Sequence, residues 1–225
     1  MRVLTLLMLF CLVTVFAKEI TPYKYVQASE AVSDFEKVGN TLIIGTEEGV
    51  IDIYDLEKDT LIDQVRLPKY KNILGDYMRS LILSVDYSES RLLFISRVLD
   101  GWRELYIYEN KTLTKLIDEK EKMTLQEVKF VDDERAVMMT MSNELIFFDI
   151  TKKKILYRKQ LNYASFSDIV LDEEHKYLYT SDETPRISKI EINSGKIIDE
   201  YRKANKRDIF SIDYKNKMLL SGGKD

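Results

Sequence analysis

A short apolar run returns five times along the chain at nearly constant spacing, and this recurrence limits the fold more than any other feature. The five runs are Thr41–Thr46, Arg91–Ser96, Arg135–Thr140, Lys176–Ser181 and Lys217–Gly222. Their last residues, 46, 96, 140, 181 and 222, are separated by 50, 44, 41 and 41 positions. Such a period is the signature of repeat architectures, in which each repeat buries its apolar face against its neighbours.

The first repeat predicts a hairpin followed by a third strand. Leu42–Ile44 and Val50–Tyr54 are apolar runs rich in β-branched residues, and Gly45–Gly49 supplies the turn between them. Two such runs around a Gly-containing loop favour a β-hairpin. After a polar turn at Asp55–Thr60, Leu61–Leu67 predicts a third strand. We therefore expect antiparallel pairing of consecutive strands, with the first run in the middle of its sheet.

The later repeats close in the same way as the first. In all but the last, the next strand ends on an apolar residue and a carboxylate: Tyr54-Asp55, Tyr108-Glu109, Phe148-Asp149 and Ile190-Glu191. Short strands at this spacing, with no convincing helical period after the N-terminal segment, indicate an all-β fold. A period of about 40 to 45 residues is typical of a four-stranded propeller blade. We predict a β-propeller of four-stranded antiparallel blades; an irregular β-sandwich is the alternative.

The strands of each predicted blade are lettered A to D from the inside outward. The A strands are short and apolar-rich and are expected to line a central axis: Leu81–Tyr87, Glu127–Val131, Asp168–Leu171 and Ile209–Tyr214. The repeats amount to about four complete blades plus part of a fifth, and the sequence stops inside a predicted turn. We expect a truncated form of a larger propeller, because a ring of seven such blades needs roughly 300 residues.

The N-terminus predicts export. Met1 and Arg2 precede a nearly continuous apolar run from Val3 to Phe16, and Val15 and Ala17 place small residues at the −3 and −1 positions of a cleavage site. This is the pattern of a secretory signal peptide. The run is short for a membrane span, which needs roughly 20 residues. An uncleaved membrane anchor is therefore the weaker alternative.

We predict a signal peptide at residues 1–17 and a propeller domain at residues 18–225, located in the periplasm without a stable membrane anchor. Phe10 before Cys11 disfavours a lipoprotein signal, and cleavage removes Cys11, the one cysteine. The mature chain would then have no disulfide or thiolate ligand. The sequence has 34 Lys and Arg residues against 38 Asp and Glu residues, a net charge of −4. This acidity argues against nucleic acid or an anionic membrane as a partner.

The period, the Gly-containing turns and the apolar–acid closings resemble the WD-repeat and quinoprotein-like propeller superfamily. The match is degenerate, since Tyr-Asp and Phe-Asp stand where Trp-Asp is expected and the Gly-His element is missing. More specifically, the signal peptide and four segments resemble the NapL family: Lys18–Pro22, Ala28–Phe35, Ser211–Tyr214 and Ser221–Asp225.

NapL proteins are periplasmic propellers encoded with the periplasmic nitrate reductase of epsilonproteobacteria. The resemblance implies an accessory role in the maturation or electron supply of that reductase, with nitrate reductase components as partners. It implies no established site residues.

Few residues of the chain suggest chemistry. His175, the one histidine, lies in a turn crowded with acids and is interpreted as a solvated turn residue rather than a metal ligand or general base. Asp34, Asp168 and Asp208 recur near A-strand starts, where they either cap turns or bind a cation such as calcium. The tip at Lys152–Lys154 is interpreted as solvated. Without a phosphate loop, paired cysteines or a nucleophile elbow, we predict no catalytic residue, metal site or cofactor.

Two classes of function remain open at this point. The first is a non-catalytic periplasmic interaction protein, with a general envelope scaffold of the outer-membrane assembly type as the alternative within this class. The second is a propeller enzyme, either a hydrolase or a quinone-dependent dehydrogenase. One histidine and one tryptophan are few for the ligands that such enzymes draw from several blades. We therefore favour the interaction protein.

Two enlarged connections, Pro68–Ser80 and Arg97–Arg103, predict the working face. In a propeller, the D–A and B–C connections emerge together on one face, here called the upper face. Long loops on a rigid scaffold concentrate binding residues, and Trp, Tyr and Arg dominate interface energetics. The six candidates for partner binding, expected above the junction of blades 1 and 2, are Tyr70, Tyr77, Arg79, Arg97, Trp102 and Arg103. The alternative for Trp102 is a buried plug between blades.

Overall fold

A computed structural model describes residues 22, 24–98, 101–202 and 205–224. The predicted signal peptide, residues 1–17, lies outside this part of the chain. Within it the structure is built of strands and contains no α-helix. Consequently, none of these residues belongs to a helix long and apolar enough to cross a membrane.

The strands form four four-stranded antiparallel sheets, one two-stranded sheet at the end and a small hairpin between the first two sheets. Blade 1 contains β1 (Val32–Val38), β2 (Thr41–Thr46), β3 (Val50–Asp55) and β4 (Thr60–Arg66). The hairpin is β5 (Tyr70–Lys71) and β6 (Tyr77–Met78). Blade 2 contains β7 (Leu81–Ser88), β8 (Arg91–Arg97), β9 (Arg103–Glu109) and β10 (Thr112–Ile117).

The second half of the chain continues the same order. Blade 3 contains β11 (Leu125–Phe130), β12 (Arg135–Thr140), β13 (Glu144–Asp149) and β14 (Lys154–Gln160). Blade 4 contains β15 (Phe166–Leu171), β16 (Tyr177–Asp182), β17 (Arg186–Glu191) and β18 (Lys196–Arg202). The last sheet is β19 (Ile209–Lys215) and β20 (Met218–Gly223).

The first strands of successive sheets lie side by side around one axis, in the order β1, β7, β11, β15 and β19. This arrangement confirms the predicted β-propeller, with four complete blades followed by a two-stranded sheet. Consecutive strands pair antiparallel throughout the described residues, and β2 lies between β1 and β3 as the first repeat predicted. Closure into a ring is not seen within these residues.

The apolar cores lie between blades rather than inside them. Leu92 and Phe94 of β8 face blade 1, whereas Leu93 and Ile95 of the same strand face blade 3. Because successive side chains point to opposite faces of a strand, a strand covered on both faces must be apolar throughout. This is why the repeated runs are continuous apolar segments rather than alternating ones.

A one-residue register shift recurs at the same place between the first and second strands of all four blades and of the β19–β20 sheet. The residues that directly follow this bulge are Asp34, Ser84, Glu127, Asp168 and Ser211. A bulge bends the strand and re-aims the next side chain. In the first four cases that side chain points across to the neighbouring blade, and we call these four the bridging residues.

Each bridging residue accepts a hydrogen bond from a backbone N–H of the next blade. The Asp34 carboxylate accepts from Val85 at 2.8 Å, and the Ser84 hydroxyl accepts from Val128 at 3.2 Å. Glu127 accepts from Ile169 at 3.3 Å, and Asp168 accepts from Ile212 at 2.8 Å. In every case the donor is the residue directly after the next bulge position. The blades are therefore joined by side chains rather than by a continuous β-ladder.

Gly45 tests how tightly blades 1 and 2 pack. A Cβ at this position would lie 2.7 Å from Cγ2 of Ile82, which is fully buried. We expect Gly45→Ala to lower the free energy of unfolding by about 1–3 kcal/mol through overpacking. The measurement is the urea midpoint at constant slope.

Gly222 is the matched control for Gly45, because it pairs with the residue after the bulge in the last sheet just as Gly45 does in the first. Among the described residues, no atom lies within 4 Å of a Cβ built there. Gly222→Ala should leave the midpoint unchanged. Equal effects of the two substitutions would contradict the packing argument.

Candidate functional site

The connection after blade 1 is a well-formed hairpin rather than an irregular loop. The backbone N–H of Asn72 donates to the Asp76 carbonyl at 3.0 Å. The Asn72 side-chain oxygen accepts from the N–H groups of Leu74 and Asp76, both at 2.9 Å. Gly75, with φ of +86°, completes the turn. We did not predict these two short strands, because the segment contains no alternating apolar run.

The hairpin carries large apolar side chains into solvent. Ile73 is 82% exposed, Leu74 is 80% exposed and Tyr77 is 65% exposed. Met78 is also exposed. The Lys71 ammonium lies 5.1 Å from the centre of the Tyr77 ring, a cation–π distance that holds this ring at the edge of the hairpin. A group of adjacent exposed apolar side chains is a feature of interaction sites.

The base of the hairpin is fixed to blade 1. Arg79 forms ion pairs with Glu30 at 3.5 Å and Glu48 at 3.3 Å. A Cβ on Gly49 would lie 3.1 Å from the Ser80 carbonyl oxygen, so the two backbones approach closely. Arg79 is therefore occupied within the chain, and its predicted contact with a partner has to share these carboxylates.

The structure brings the two enlarged connections together at one cavity of about 230 Å³. Pro68 and Tyr70 of the first connection and Val98 of the second line it, with Tyr106 of blade 2. Trp102 is half-buried and its carbonyl accepts from the Val98 N–H at 2.9 Å, which closes the second connection. Trp102 is thus less exposed than expected for a contact residue and less buried than expected for a plug between blades.

Glu104 forms the polar end of this cavity. It is 4% exposed, and its carboxylate accepts from the Tyr106 hydroxyl at 2.6 Å and from the Lys115 ammonium. Burial raises the pKa of Glu104. Burial and the hydrogen bond to Glu104 together raise the pKa of Tyr106. Burial opposes the charge on Lys115, but the hydrogen bond to Glu104 and the nearby negative charges together outweigh burial and raise the pKa of Lys115.

Three carboxylates meet beside Lys115. Oxygens of Glu104, Asp118 and Glu119 lie within 4.8 Å of one another. The Lys115 nitrogen contacts Asp118 at 3.4 Å and Glu119 at 3.6 Å in addition to Glu104. The ammonium thus supplies the positive charge that such a cluster requires. We read the cluster as a fixed wall of the cavity.

The remaining two candidates lie at the blade 2 end of the second connection. Arg97 is exposed at the end of β8, and Arg103 is 7% exposed at the start of β9. The two residues are cross-strand partners. Sequence spacing placed both arginines in one loop, but it did not distinguish the exposed one from the buried one.

A second cavity, of about 790 Å³, follows the central axis and is lined by the first strands of the blades. Its lining includes acidic residues of the first strands: Asp34 and Glu36, two positions apart on β1, and Asp168 of β15. Asp34 and Asp168 are bridging residues whose oxygens accept backbone N–H groups, which supports the capping alternative over the cation alternative. Asp34 is partly desolvated, and burial raises its pKa despite the hydrogen bond from Val85.

The prediction that grouped Asp208 with Asp34 and Asp168 is wrong. Asp208 precedes β19, and its backbone carbonyl accepts from the Lys224 N–H at 3.0 Å. The residue in the equivalent position is Ser211, as the register with Gly222 shows. The three short segments are not equivalent, because Asp34 and Asp168 are the third residues of β1 and β15, whereas Asp208 lies before the first residue of β19.

Lys129 is the cation of this central cavity. Its nitrogen lies 3.0 Å from Glu36, 3.8 Å from Asp86 and 3.9 Å from Glu127. Burial raises the pKa of Asp86 to about 6 and raises that of Glu127 as well, while Lys129 offsets part of each shift. We did not predict Lys129; the period-2 alternation of charged residues along the first strands is the signal that could have found it.

His175 lies at the rim of the same cavity. It is exposed, with φ of +51°, and its Nδ1 is 2.7 Å from the Val131 carbonyl oxygen. These contacts agree with its interpretation as a solvated turn residue.

Asp86 gives a pH dependence that can be measured. It faces Lys129, Glu36 and His175 and accepts the Phe130 N–H at 2.6 Å. A folded-state pKa of about 6, above the ordinary 3.8, means that the folded protein binds this proton more readily than the unfolded chain. The resulting stabilisation is present at low pH and is lost as pH rises through 6. Wild type should therefore gain stability relative to Asp86→Asn between pH 7 and pH 5, measured by urea unfolding.

Asp149→Asn is the control for this pH dependence. The hydrogen bond from Lys152 lowers the pKa of Asp149, so its contribution is lost only as pH falls below the ordinary value. The difference between wild type and this variant should stay constant from pH 7 to pH 5. A constant difference for Asp86→Asn would contradict the assignment of a raised pKa.

Comparison with known proteins supports the fold and goes no further. No protein-family model matches the chain, and no curated protein matches it. A solved structure that is similar to it is the β-propeller domain of Cps50 (Swd1) from Myceliophteria thermophila, with a TM-score of 0.67 and 15% identity. The match covers 88% of this chain and 64% of that one, so the chain spans just under two thirds of its length. The chain has the β-propeller fold. At this identity the likeness carries no statement about partners.

Proposed function

We propose that this chain is a non-catalytic interaction protein whose upper face binds a protein partner. The observation that carries the proposal is the β5–β6 hairpin, which holds Ile73, Leu74 and Tyr77 in solvent on a rigid base. Exposing such side chains has no stabilising effect on the monomer, whereas burying them against a partner does. The proposal assigns the protein no catalytic residue, metal or cofactor.

The exposed apolar surface continues across the upper face. Met141, in the B–C connection of blade 3, is 50% exposed, and Tyr163, in the connection to blade 4, is 96% exposed. The Phe166 N–H donates to the Met141 carbonyl at 3.1 Å, which ties these two connections together. Aromatic and Met side chains are enriched at protein interfaces. The proposed surface therefore runs from the hairpin over blades 2 and 3.

The finer proposal concerns compartment and system. The N-terminal apolar run supports export to the periplasm with cleavage after Ala17. The resemblance to the NapL family supports an accessory role with components of the periplasmic nitrate reductase, in maturation or electron supply. A general envelope scaffold is the alternative partner system, and both rest on the same upper face.

The hairpin gives a direct test of partner binding. Leu74→Asp and Tyr77→Ala should each reduce capture of periplasmic partners on the immobilised protein by at least about tenfold, as expected for truncating an interface hot spot. Because both side chains are exposed, the melting temperature should stay within about 2 °C of wild type. Capture is measured by quantitative mass spectrometry. Arg79→Ala and Trp102→Ala test the remaining contacts in the same way.

Ile62→Asp is the matched control, because Ile62 is 50% exposed on β4, the outer strand of blade 1, away from the upper face. It should leave capture unchanged. Partners that are captured equally by wild type and both hairpin variants would contradict the proposed surface. Their identity separates nitrate reductase components from an envelope assembly complex.

The intact mass of the exported protein tests the proposed cleavage after Ala17. The protein recovered from the periplasm should have the intact mass of a chain that begins at Lys18, because Ala17 follows the apolar run. Ala17→Leu should block cleavage and leave the precursor. Full-length protein in the membrane fraction of the wild type would show an anchor instead.

A further inference from the structure

Arg103 is buried, and no described carboxylate lies within ion-pair distance of it. It is 7% exposed, and its Nε has no hydrogen-bond acceptor within the described residues. Two other arginines show the usual pairing: Arg91 lies 2.9 Å from Asp133, and Arg186 lies 3.2 Å from Glu200. An unpaired buried charge costs several kcal/mol because the protein does not replace the lost hydration. Burial, together with the nearby Arg97, lowers the pKa of Arg103.

The neighbouring Arg97 makes the buried charge of Arg103 still less favourable. It is the direct cross-strand partner of Arg103, and no carboxylate of the described residues lies within ion-pair distance of it. Like charges directly opposite each other on two strands destabilise the pair. Two arginines in this arrangement concentrate positive charge at one point of an otherwise acidic protein.

The geometry of the second connection, Arg97–Arg103, accounts for this concentration of positive charge. In blades 1 and 3, a Thr hydroxyl at the end of the second strand accepts the N–H four residues on, at 3.0 Å for Thr46 and Val50 and at 3.1 Å for Thr140 and Glu144. In blade 2 the equivalent pair, Ser96 and Glu104, is eight residues apart. The inserted residues replace that closure, and the Ser96 hydroxyl is left without a partner in the described residues.

The two arginines lie on the blade 3 side of blade 2. Arg97 has the same strand parity as Ile95, and Arg103 has the same parity as Leu105; both apolar residues pack in the core between blades 2 and 3. The backbone N–H of Arg103 donates to the Met123 carbonyl at 3.3 Å, at the start of blade 3. The pair therefore lies on the upper face at the junction of blades 2 and 3, between the hairpin and the exposed Met141, and the prediction that placed these two arginines above the junction of blades 1 and 2 is wrong.

We propose that Arg97 and Arg103 form the binding site for a carboxylate presented by an acidic segment of the protein partner. This inference rests on the proposed function and names the chemistry of the partner. A carboxylate offers two oxygens to the planar guanidinium fork and supplies the counter-charge that both arginines lack among the described residues. The exposed apolar side chains on either side would bury the residues that flank the acid.

Charge on the rest of the face selects a single carboxylate over a polyanion. Glu47 and Glu48 are exposed in the B–C connection of blade 1, and the whole chain carries a net charge of −4. A phosphate polymer would meet this repulsion along its length, whereas one acid on an apolar segment meets it at one point.

Small anions test the site on the full chain without knowledge of the partner. Arginine Nε–Hε resonances are followed by NMR during titration with sodium acetate, and sodium chloride at equal ionic strength is the reference. Acetate should shift the Arg103 signal saturably, and Arg97→Gln should weaken that binding about tenfold, as expected for loss of one charge-assisted contact. The Arg91 signal should not move, because Arg91 already pairs with Asp133.

Three outcomes overturn the proposal: no saturable shift with acetate, a shift with sodium phosphate alone, or binding of acetate only in Asp100→Asn. Asp100 lies outside the described residues, and the last outcome would show that the chain's own carboxylate fills the site.

Arg103→Met separates a binding role from a structural one. It keeps the aliphatic stem and removes an unpaired buried charge, so the melting temperature should hold or rise. Acetate binding should disappear. A fall of more than about 5 °C would show that Arg103 is structural in the free protein and would overturn the proposal.

The same variant distinguishes this inference from the proposed function. Loss of partner capture in Leu74→Asp together with full capture in Arg103→Met would refute the carboxylate site and leave the interaction face intact. Full capture in both variants would refute the face itself.

Discussion

The structure depends on the way each blade is joined to the next at the central axis. Among the described residues no β-ladder runs from one blade to another, so the inner strands would leave backbone N–H groups unpaired next to a buried core. A side chain re-aimed by a bulge accepts one of those groups each time, as Asp34 does for Val85 and Asp168 does for Ile212. Satisfying buried donors in this way is worth more than the average hydrogen bond, because the alternative is an unpaired group in an apolar setting.

This joint also determines where charge collects. The bridging carboxylates lie at the inner edge of the blades, where burial raises the pKa of Asp34 and of Glu127. Lys129 forms ion pairs there with one bridging residue, Glu127, and with Glu36 and Asp86. At the axis, buried carboxylates and Lys129 balance each other's charge within the scaffold. The exposed apolar side chains and the arginines that suit recognition lie on the upper face.

The sequence could predict the propeller because a strand covered on both faces must be apolar along its whole length, and five such runs at regular spacing have few other solutions. It misplaced Asp208, because β15 begins at Phe166 rather than at the predicted Asp168, so Asp168 is the third residue of its strand whereas Asp208 precedes β19. It located the two loops that meet at one cavity, because loop length shows directly in the spacing. It did not reveal that Arg103 is buried and Arg97 exposed, since both are strand-end arginines and burial depends on the neighbouring blade. The hairpin at Tyr70–Met78 was missed because its stability comes from the Asn72 side chain rather than from an apolar pattern.

The added length of the first two repeats lies entirely on the upper face, and this has a consequence for how the molecule can change. The ends of each insertion are held a few ångströms apart by paired strands, and the entropy of closing a loop grows by only about 0.6 kcal/mol for each doubling of its length. A residue added to an inner strand, by contrast, moves the bridging side chain of that strand away from its donor and turns the apolar side chains of the strand toward solvent. The two faces therefore differ in their freedom to accept insertions: one can diversify at almost constant stability, and the inner strands remain fixed in length.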